Sequence, residues 1–334
     1  MKGVTKAPMK PSMKPAKHGL IDGQNTPNKP VPAAEPPPHA LLRPQIVLPF
    51  LLVGVIWGST WWVITGQIEG VAPSWSIALR FSLACPAMFV VALLMRRSLR
   101  MGAQGHRLAV FIGLTQFCLN FNFVYRAELH LTSGIVAVMF GLLMVPNALL
   151  GRWLLGQGIT RRFLWGSAVA IVGIALLLMH EARLSPLGGN VALGIVLAVG
   201  GILAASIANV VQANETGRSL PMVSLLAWSM LYGVGFDVAL AWLTAGPPEF
   251  PADPSYWAGA AWLALAGSVV TFPLYYTLVR QIGAGRAAYN SLAVIVIAML
   301  ISTLVEGYDW SALAAGGAVL AVAGMAIALR ARQT

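Results

Sequence analysis

Amide, hydroxyl and aromatic side chains recur at helical spacing inside the apolar stretches of this 334-residue chain. Gln116 and Asn120 are four residues apart, one turn of a helix, with Asn122 and Tyr125 just beyond. Ser206, Asn209 and Gln212 follow at i, i+3 and i+6 as a continuous polar stripe. Asn290 and Ser291 are adjacent, Thr271, Tyr275 and Tyr276 cluster, and Ser59 and Thr60 stand between Trp57 and Trp61. In an apolar medium such groups need partners, so they face one another or a wet cavity. For any one of them the plainer role is a hydrogen bond between helices. As a set they predict an uncharged, aromatic-walled cavity suited to amphipathic or aromatic solutes. A phosphorylated solute would call for Lys or Arg, and no Lys follows Lys29.

Two charges fall inside apolar runs. Arg80 and Asp237 are each about six residues from the same end of their segments, so they share a depth and an ion pair is possible. Asp237 is the candidate for proton coupling. The pairs His180–Glu181 and Glu128/His130 have no further ligand-type residue near them in sequence, which is weak support for metal or acid–base chemistry. Cys85 and Cys118 fall mid-way along apolar runs, as small packing residues do, so neither a disulfide nor a metal site is expected. No P-loop is present, which argues against nucleotide hydrolysis. The reading is a protein that is not an enzyme and takes no cofactor.

Positioning these groups falls to elements that lipid must solvate. Hydrophobic residues make up 57% of the chain and charged residues 10%, against roughly a quarter in soluble domains, too few to coat a surface facing water. Apolar runs predict helices at Ile46–Gly66, Ser74–Met95, Leu108–Tyr125, Ser133–Leu150, Phe163–His180, Val191–Val211, Met222–Leu243, Tyr256–Val279, Ala287–Val305 and Ser311–Leu329. Residues 1–44 are Lys- and Pro-rich, expected to be disordered and cytoplasmic, and lack the apolar core of a signal peptide. The net charge of +11 raises the question of nucleic acid, but the arginines punctuate apolar runs and build no basic face, so no nucleic acid is expected.

Ten crossings starting inside place Arg96, Arg97, Arg100, Arg107, Arg152, Arg161, Arg162, Arg218, Arg280, Arg286, Arg330 and Arg332 on the cytoplasmic side. Only Arg126 and Arg183 fall opposite, so the positive-inside rule favours this count with both termini cytoplasmic.

The halves echo one another at 148–151 residues. Pro73 matches Pro221, Gly166 and Gly173 match Gly317 and Gly324, and Gly134 matches Gly283 or Gly285. Five helices is an odd number, so the second copy must enter the bilayer upside down, as in many secondary transporters. The domains predicted are the tail over 1–44, a first five-helix repeat over 45–182 and a second over 183–334.

These residues resemble the EamA branch of the drug/metabolite transporter superfamily. Trp57-Gly58-Ser59-Thr60 is similar to that family's first-helix start, and Pro73 followed by Ala78-Leu79-Arg80-Phe81 to its second-helix pattern. Ala127 to Gly156, with Thr132-Ser133 and Pro146, resembles its third-to-fourth hairpin; Arg280 to Ala284, Ala287-Ala288 and Glu306 resemble the counterpart. Two departures are plain: Gln157 follows Gly156 where the family often has Glu, and Ile295 aligns with Pro146. The resemblance implies a bundle that carries solutes by bending those hairpins, with Pro146 and Pro273, and with Gly141 and Gly267, as hinges. Gly54 and Gly58 form a GxxxG spacing suited to close packing.

The expectation is an all-α membrane protein of ten transmembrane helices, N-in and C-in, in a bacterial cell inner membrane. It works with a small-molecule substrate and membrane lipid, as a monomer or homodimer, exporting amino acids or related metabolites. The alternatives are an importer or exchanger of nucleobases or sugars, and a non-transporting membrane adaptor or sensor. The substrate-binding set is Trp57, Ser59, Thr60, Trp61, Gln116, Asn120, Ser206, Asn209, Tyr276, Asn290 and Ser291.

Overall fold

Proline opens three of the helices in a computed structural model of the chain. Pro44, Pro73 and Pro254 stand in first turns, where a missing N–H costs nothing and a fixed φ favours the start. Other ends are fixed by side chains: Asn190 accepts from the Leu193 N–H at 3.0 Å, and Asp253 from the Ser255 N–H at 2.8 Å. Gly156 ends its helix at φ +67°, a conformation that disfavours any residue with a Cβ. The structure describes Gly3 and residues 43–156, 158–184, 188–248, 250–282 and 287–331; of residues 276, 279, 280, 282 and 331 only the backbone is described.

Among the described residues there are helices and no strands. We number the long ones α1 (Pro44–Ile68), α2 (Pro73–Leu94), α3 (Ala103–Ala127), α4 (Ser133–Leu155), α5 (Arg161–Leu184), α6 (Val191–Val211) and α7 (Met222–Ala245). After them come α8, which begins at Pro254 and ends at Ile282, α9 (Asn290–Val305) and α10 (Ala312–Ala331). Nine of the described helices are long and apolar enough to cross a membrane, and α9 is a shorter apolar helix. Large apolar side chains point outward along the bundle, among them Leu94, Trp153, Leu243 and Leu304, each at least 74% exposed. Such a surface suits hydrocarbon and not water.

The two halves meet through matching helices running in opposite directions. On α5 and α10 the crossing is backbone on backbone. A Cβ on Gly166 would lie 2.7 Å from the Gly324 carbonyl, and one on Gly324 would lie 2.7 Å from that of Gly166. Gly173 and Gly317 repeat the arrangement at 2.6 and 2.7 Å. These are the glycines matched by the repeat, so a contact and its mirror both occur. Likewise α2 lies antiparallel to α7, with Trp75 donating to the Gly246 carbonyl and Phe89 edge-on to Trp228. On α4, Gly134 faces Ser302 and Gly141 faces Ile295 of α9, again antiparallel. The second half is therefore turned end for end against the first. Gly54 and Gly58 pack on Ala293 and Ile297 of α9, as the GxxxG spacing predicts.

Three helices change pitch mid-way. Gly113–Asn120 of α3 and Trp262–Val270 of α8 are π-helical, and Gly141–Leu143 of α4 is a 3₁₀ turn. Pro146 and Pro273 each lack the N–H that would reach four residues back, to Leu142 and Val269, which lie in or at the end of these stretches. No such break interrupts α9, where Ile295 stands in place of proline.

Candidate functional site

The pitch changes surround a cavity of about 350 Å³ lined by both halves. From α1 come Trp57, Thr60, Trp61 and Ile64, and from α2 Arg80. Gln116, Asn120, Phe121 and Val124 line it from α3, with Gln116 and Asn120 inside the π stretch. Ala137, Phe140, Gly141, Leu143 and Asn147 contribute from α4, Ala205 and Asn209 from α6. The second half adds Gly267, Phe272 and Tyr275 from α8 and Ser291, Val294 and Ile295 from α9. The lining runs to the bundle end near which α6 finishes and α9 begins, with Asn209 in the last turn of α6 and the exposed Ser291 in the first turn of α9. Toward the other end it stops at the buried Val124 and Ala137.

Aromatic rings are braced around it. Trp57 donates to the Gly267 carbonyl at 3.1 Å and packs against Phe272 and Tyr275, with ring centroids at 5.8 and 5.2 Å. That same carbonyl accepts from Thr271 at 2.8 Å, so a residue of the α8 π stretch fixes a tryptophan of α1. Trp61 leans on Phe140 at 5.1 Å.

Of the predicted residues, Trp57, Thr60, Trp61, Gln116, Asn120, Asn209 and Ser291 line this one space. Ser59 does not: it bonds the Ile56 carbonyl and accepts from Trp262 at 3.1 Å. Ser206 is fully buried away from the lining, and Asn290 donates to the Phe50 carbonyl at 2.6 Å, tying α9 to α1. The Tyr276 side chain lies outside the described residues. Gly141 and Gly267 border the cavity; Pro146 and Pro273 lie behind it.

Sequence reasoning missed Asn147 and placed Arg80 wrongly. The expected uncharged cavity is corrected by Arg80, which lines it. Nor does Arg80 pair with Asp237. Its guanidinium donates to Tyr125 Oη and Ser268 Oγ, both at 3.3 Å, and lies 4.6 Å from the centre of the Phe121 ring. Asp237 faces α3 instead, accepting from Asn122 at 2.8 Å. Arg126 donates to the Asn122 amide oxygen at 2.6 Å and to Ser74 at 2.8 Å, which extends that network to α2. The helices are rotated so that Arg80 turns inward and Asp237 toward α3, a relation that linear spacing does not carry.

Three of the lining residues also hold a buried polar atom without a hydrogen-bond partner: Arg80 Nε, Asn120 Oδ1 and Asn147 Oδ1. One cationic and two amide side chains thus line the cavity among aromatic walls, a composition that suits a solute carrying both an anionic and a donor group.

Comparison with known proteins fits this arrangement. The family profile described as "EamA-like transporter family" matches residues 45–179 and 192–330. Protein PagO of Salmonella typhimurium is 27% identical over 142 residues, 42% of this chain and 46% of that protein, so the chain spans about half of PagO. The "Uncharacterized inner membrane transporter YedA" of Escherichia coli is 28% identical over 280 residues, 78% of this chain and 84% of the relative. The "Probable amino-acid metabolite efflux pump" of Escherichia coli is 27% identical over 287 residues, covering 83% and 92%. A solved crystal structure, 19% identical, superposes with a TM-score of 0.63 over 86% of this chain and 97% of its own; it speaks for the fold alone.

Proposed function

Because the chain belongs to the EamA-like transporter family and is a multi-pass membrane protein, we propose that it exports amino acids or related small metabolites by alternating access. The observation that carries this reading is a single cavity lined from both halves by Arg80, Asn120 and Asn147 among aromatic rings. A substrate carboxylate takes the Arg80 guanidinium, its ammonium takes the Asn120 and Asn147 carbonyls, and its side chain rests on Trp57, Trp61 and Phe272. Thr60, Gln116, Asn209 and Ser291 complete the polar lining; Ser59 and Asn290 tie α1 to α8 and to α9. Gly141 with Pro146, and Gly267 with Pro273, are the points at which α4 and α8 bend. The cavity volume lies in the range usual for small-molecule sites. The relative named as an amino-acid metabolite efflux pump supports both cargo class and direction.

The chain crosses a bacterial inner membrane ten times, the shorter α9 bringing the nine long apolar helices to ten, with both termini cytoplasmic. Support comes from the placement of arginines at one end of the helices and from a relative named as an inner membrane transporter. The cavity then opens to the cytoplasm.

Vesicles reconstituted with the full chain and loaded with labelled amino acids test the reading. Saturable efflux that stops on Arg80→Ala is expected; no movement of any amino acid overturns it. Reporters fused after Arg183 and after Arg218 are expected in opposite compartments, and a shared compartment would overturn the ten-crossing scheme.

A further inference from the structure

The bundle end remote from the cavity mouth is closed by a layer of acids. Glu128 caps α3 with its side chain 2% exposed, and neither carboxylate oxygen has a hydrogen-bond partner. Glu306, just past α9, accepts from Ser133 Oγ, the first residue of α4, at 2.8 Å. Glu181 of α5 is fully buried and accepts from the Thr132 N–H at 2.8 Å. Its second oxygen and the hydroxyls of Thr132 and Tyr308 have no partner. His180 is already engaged, by the Asp309 carbonyl at 2.7 Å and Ser311 at 3.0 Å. In sequence these acids are far apart; the fold brings three helix ends together to gather them.

The charged and titratable groups around Glu128 are few. Glu306, beyond α9 and bonded to Ser133 five residues along the chain from Glu128, is near enough for its charge to act on it, as are Arg80 of α2 and Tyr125 of α3. Glu306 also faces Glu181, beside which lie His180 and Tyr308. The helix α6, packed on α3, carries no ionisable residue. Burial first, and the charge of Glu306 second, push the Glu128 carboxyl well above the usual carboxylate range, against a smaller pull from Arg80. Glu128 is thus a buried carboxyl with no hydrogen-bond partner on either oxygen, a group that can exist dry only with a proton on it.

We propose that Glu128 takes up the proton that closes the outer end of the cavity, with Glu306 as the charge that drives it off again. This rests on the transporter reading above and supplies its coupling ion. With a proton on Glu128, the acid is neutral and the Ser133–Glu306 bond holds α4 against the end of α9. The proton comes from water on the outer side and forms an O–H bond on the carboxylate; that bond breaks when the site is wetted, and nothing is oxidised or reduced. Once it leaves, two carboxylates face each other in a dry layer and the helix ends part. The closed form is therefore favoured at low pH and lost as pH rises through the Glu128 titration. Arg80 both lines the cavity and faces Glu128, so the charge of the cargo and of the closure are not independent.

The test is labelling of Ala137→Cys, on the cavity wall nearest this layer, by a membrane-impermeant maleimide applied outside right-side-out vesicles. The native Cys85 and Cys118 are buried. Labelling is expected to rise about tenfold as external pH is raised across one unit of the titration. Glu128→Gln should hold it at the low-pH rate, and Glu128→Asp should keep the response. A pH response that survives in Glu128→Gln overturns the proposal. If that variant fails to insert, Glu306→Gln serves instead: a flattened response is expected, and an unchanged one overturns the proposal. Solute flux without any pH response at Ala137→Cys sinks this inference and leaves the transport reading standing; a pH response without flux does the reverse.

Discussion

Arg80 and Asp237 are both buried charges on helices that pack together, yet their surroundings differ in kind. Arg80 is held by two long bonds of 3.3 Å, keeps Nε without a partner and faces the cavity. Asp237 is fully buried and away from the cavity lining; one oxygen is bonded at 2.8 Å to an asparagine braced by Arg126 and Ser74, and the other has no hydrogen-bond partner. A loosely bonded charge facing open space is suited to a ligand. One drawn into a network of short bonds away from any cavity is suited to joining helices, here α2, α3 and α7.

The sharpest way to break this contrast is to remove each charge in turn. Arg80→Ala is expected to lower transport efficiency for carboxylate-bearing solutes about 100-fold, ~2.7 kcal/mol. Flux assays in vesicles read it, and retained flux would mean that Arg80 only packs. Asp237→Ala should instead cost about 3 kcal/mol of stability in detergent unfolding, because Arg126 loses its counter-charge. Asp237→Asn should cost under ~1 kcal/mol and leave the pH profile of flux unaltered; a changed profile would make Asp237 a coupling group and erase the distinction. The smallest effect tests the cavity wall. Asn147→Ala should raise KM about fivefold with kcat nearly unchanged, whereas Ser206→Ala, remote from the cavity, should leave both within about twofold.

The helices were legible because lipid tolerates few alternatives: a bilayer ~30 Å thick forces long apolar runs. The repeat was legible in Gly166, Gly173, Gly317 and Gly324, whose matching positions become one reciprocal crossing. Much of the polar lining of the candidate site was readable, since a polar residue in such a run must face something. What it faces depends on helix rotation. Ser206 and Asn209 share a stripe, yet only Asn209 reaches the cavity. The π stretches left no signal in α3, where no proline follows and the wide turn accompanies a close approach of Gly113 to the Ser229 carbonyl. Glu128, Glu181 and Glu306 were invisible as a group because their meeting is a product of tertiary structure. Read as separate pairs they looked inert.

The crossing of α5 and α10 has a consequence for how such a protein can arise and be assembled. With glycine set against carbonyl on both sides, this seam cannot slide without a clash, so it works as a fixed axle and any rocking must be taken up by other helices. It also makes each half the mould of the other. A half synthesised alone would display an uncovered glycine groove in the lipid. The shape that fills that groove is a sister copy threaded in from the opposite face, so a gene encoding one half could build the whole only by inserting its product both ways up.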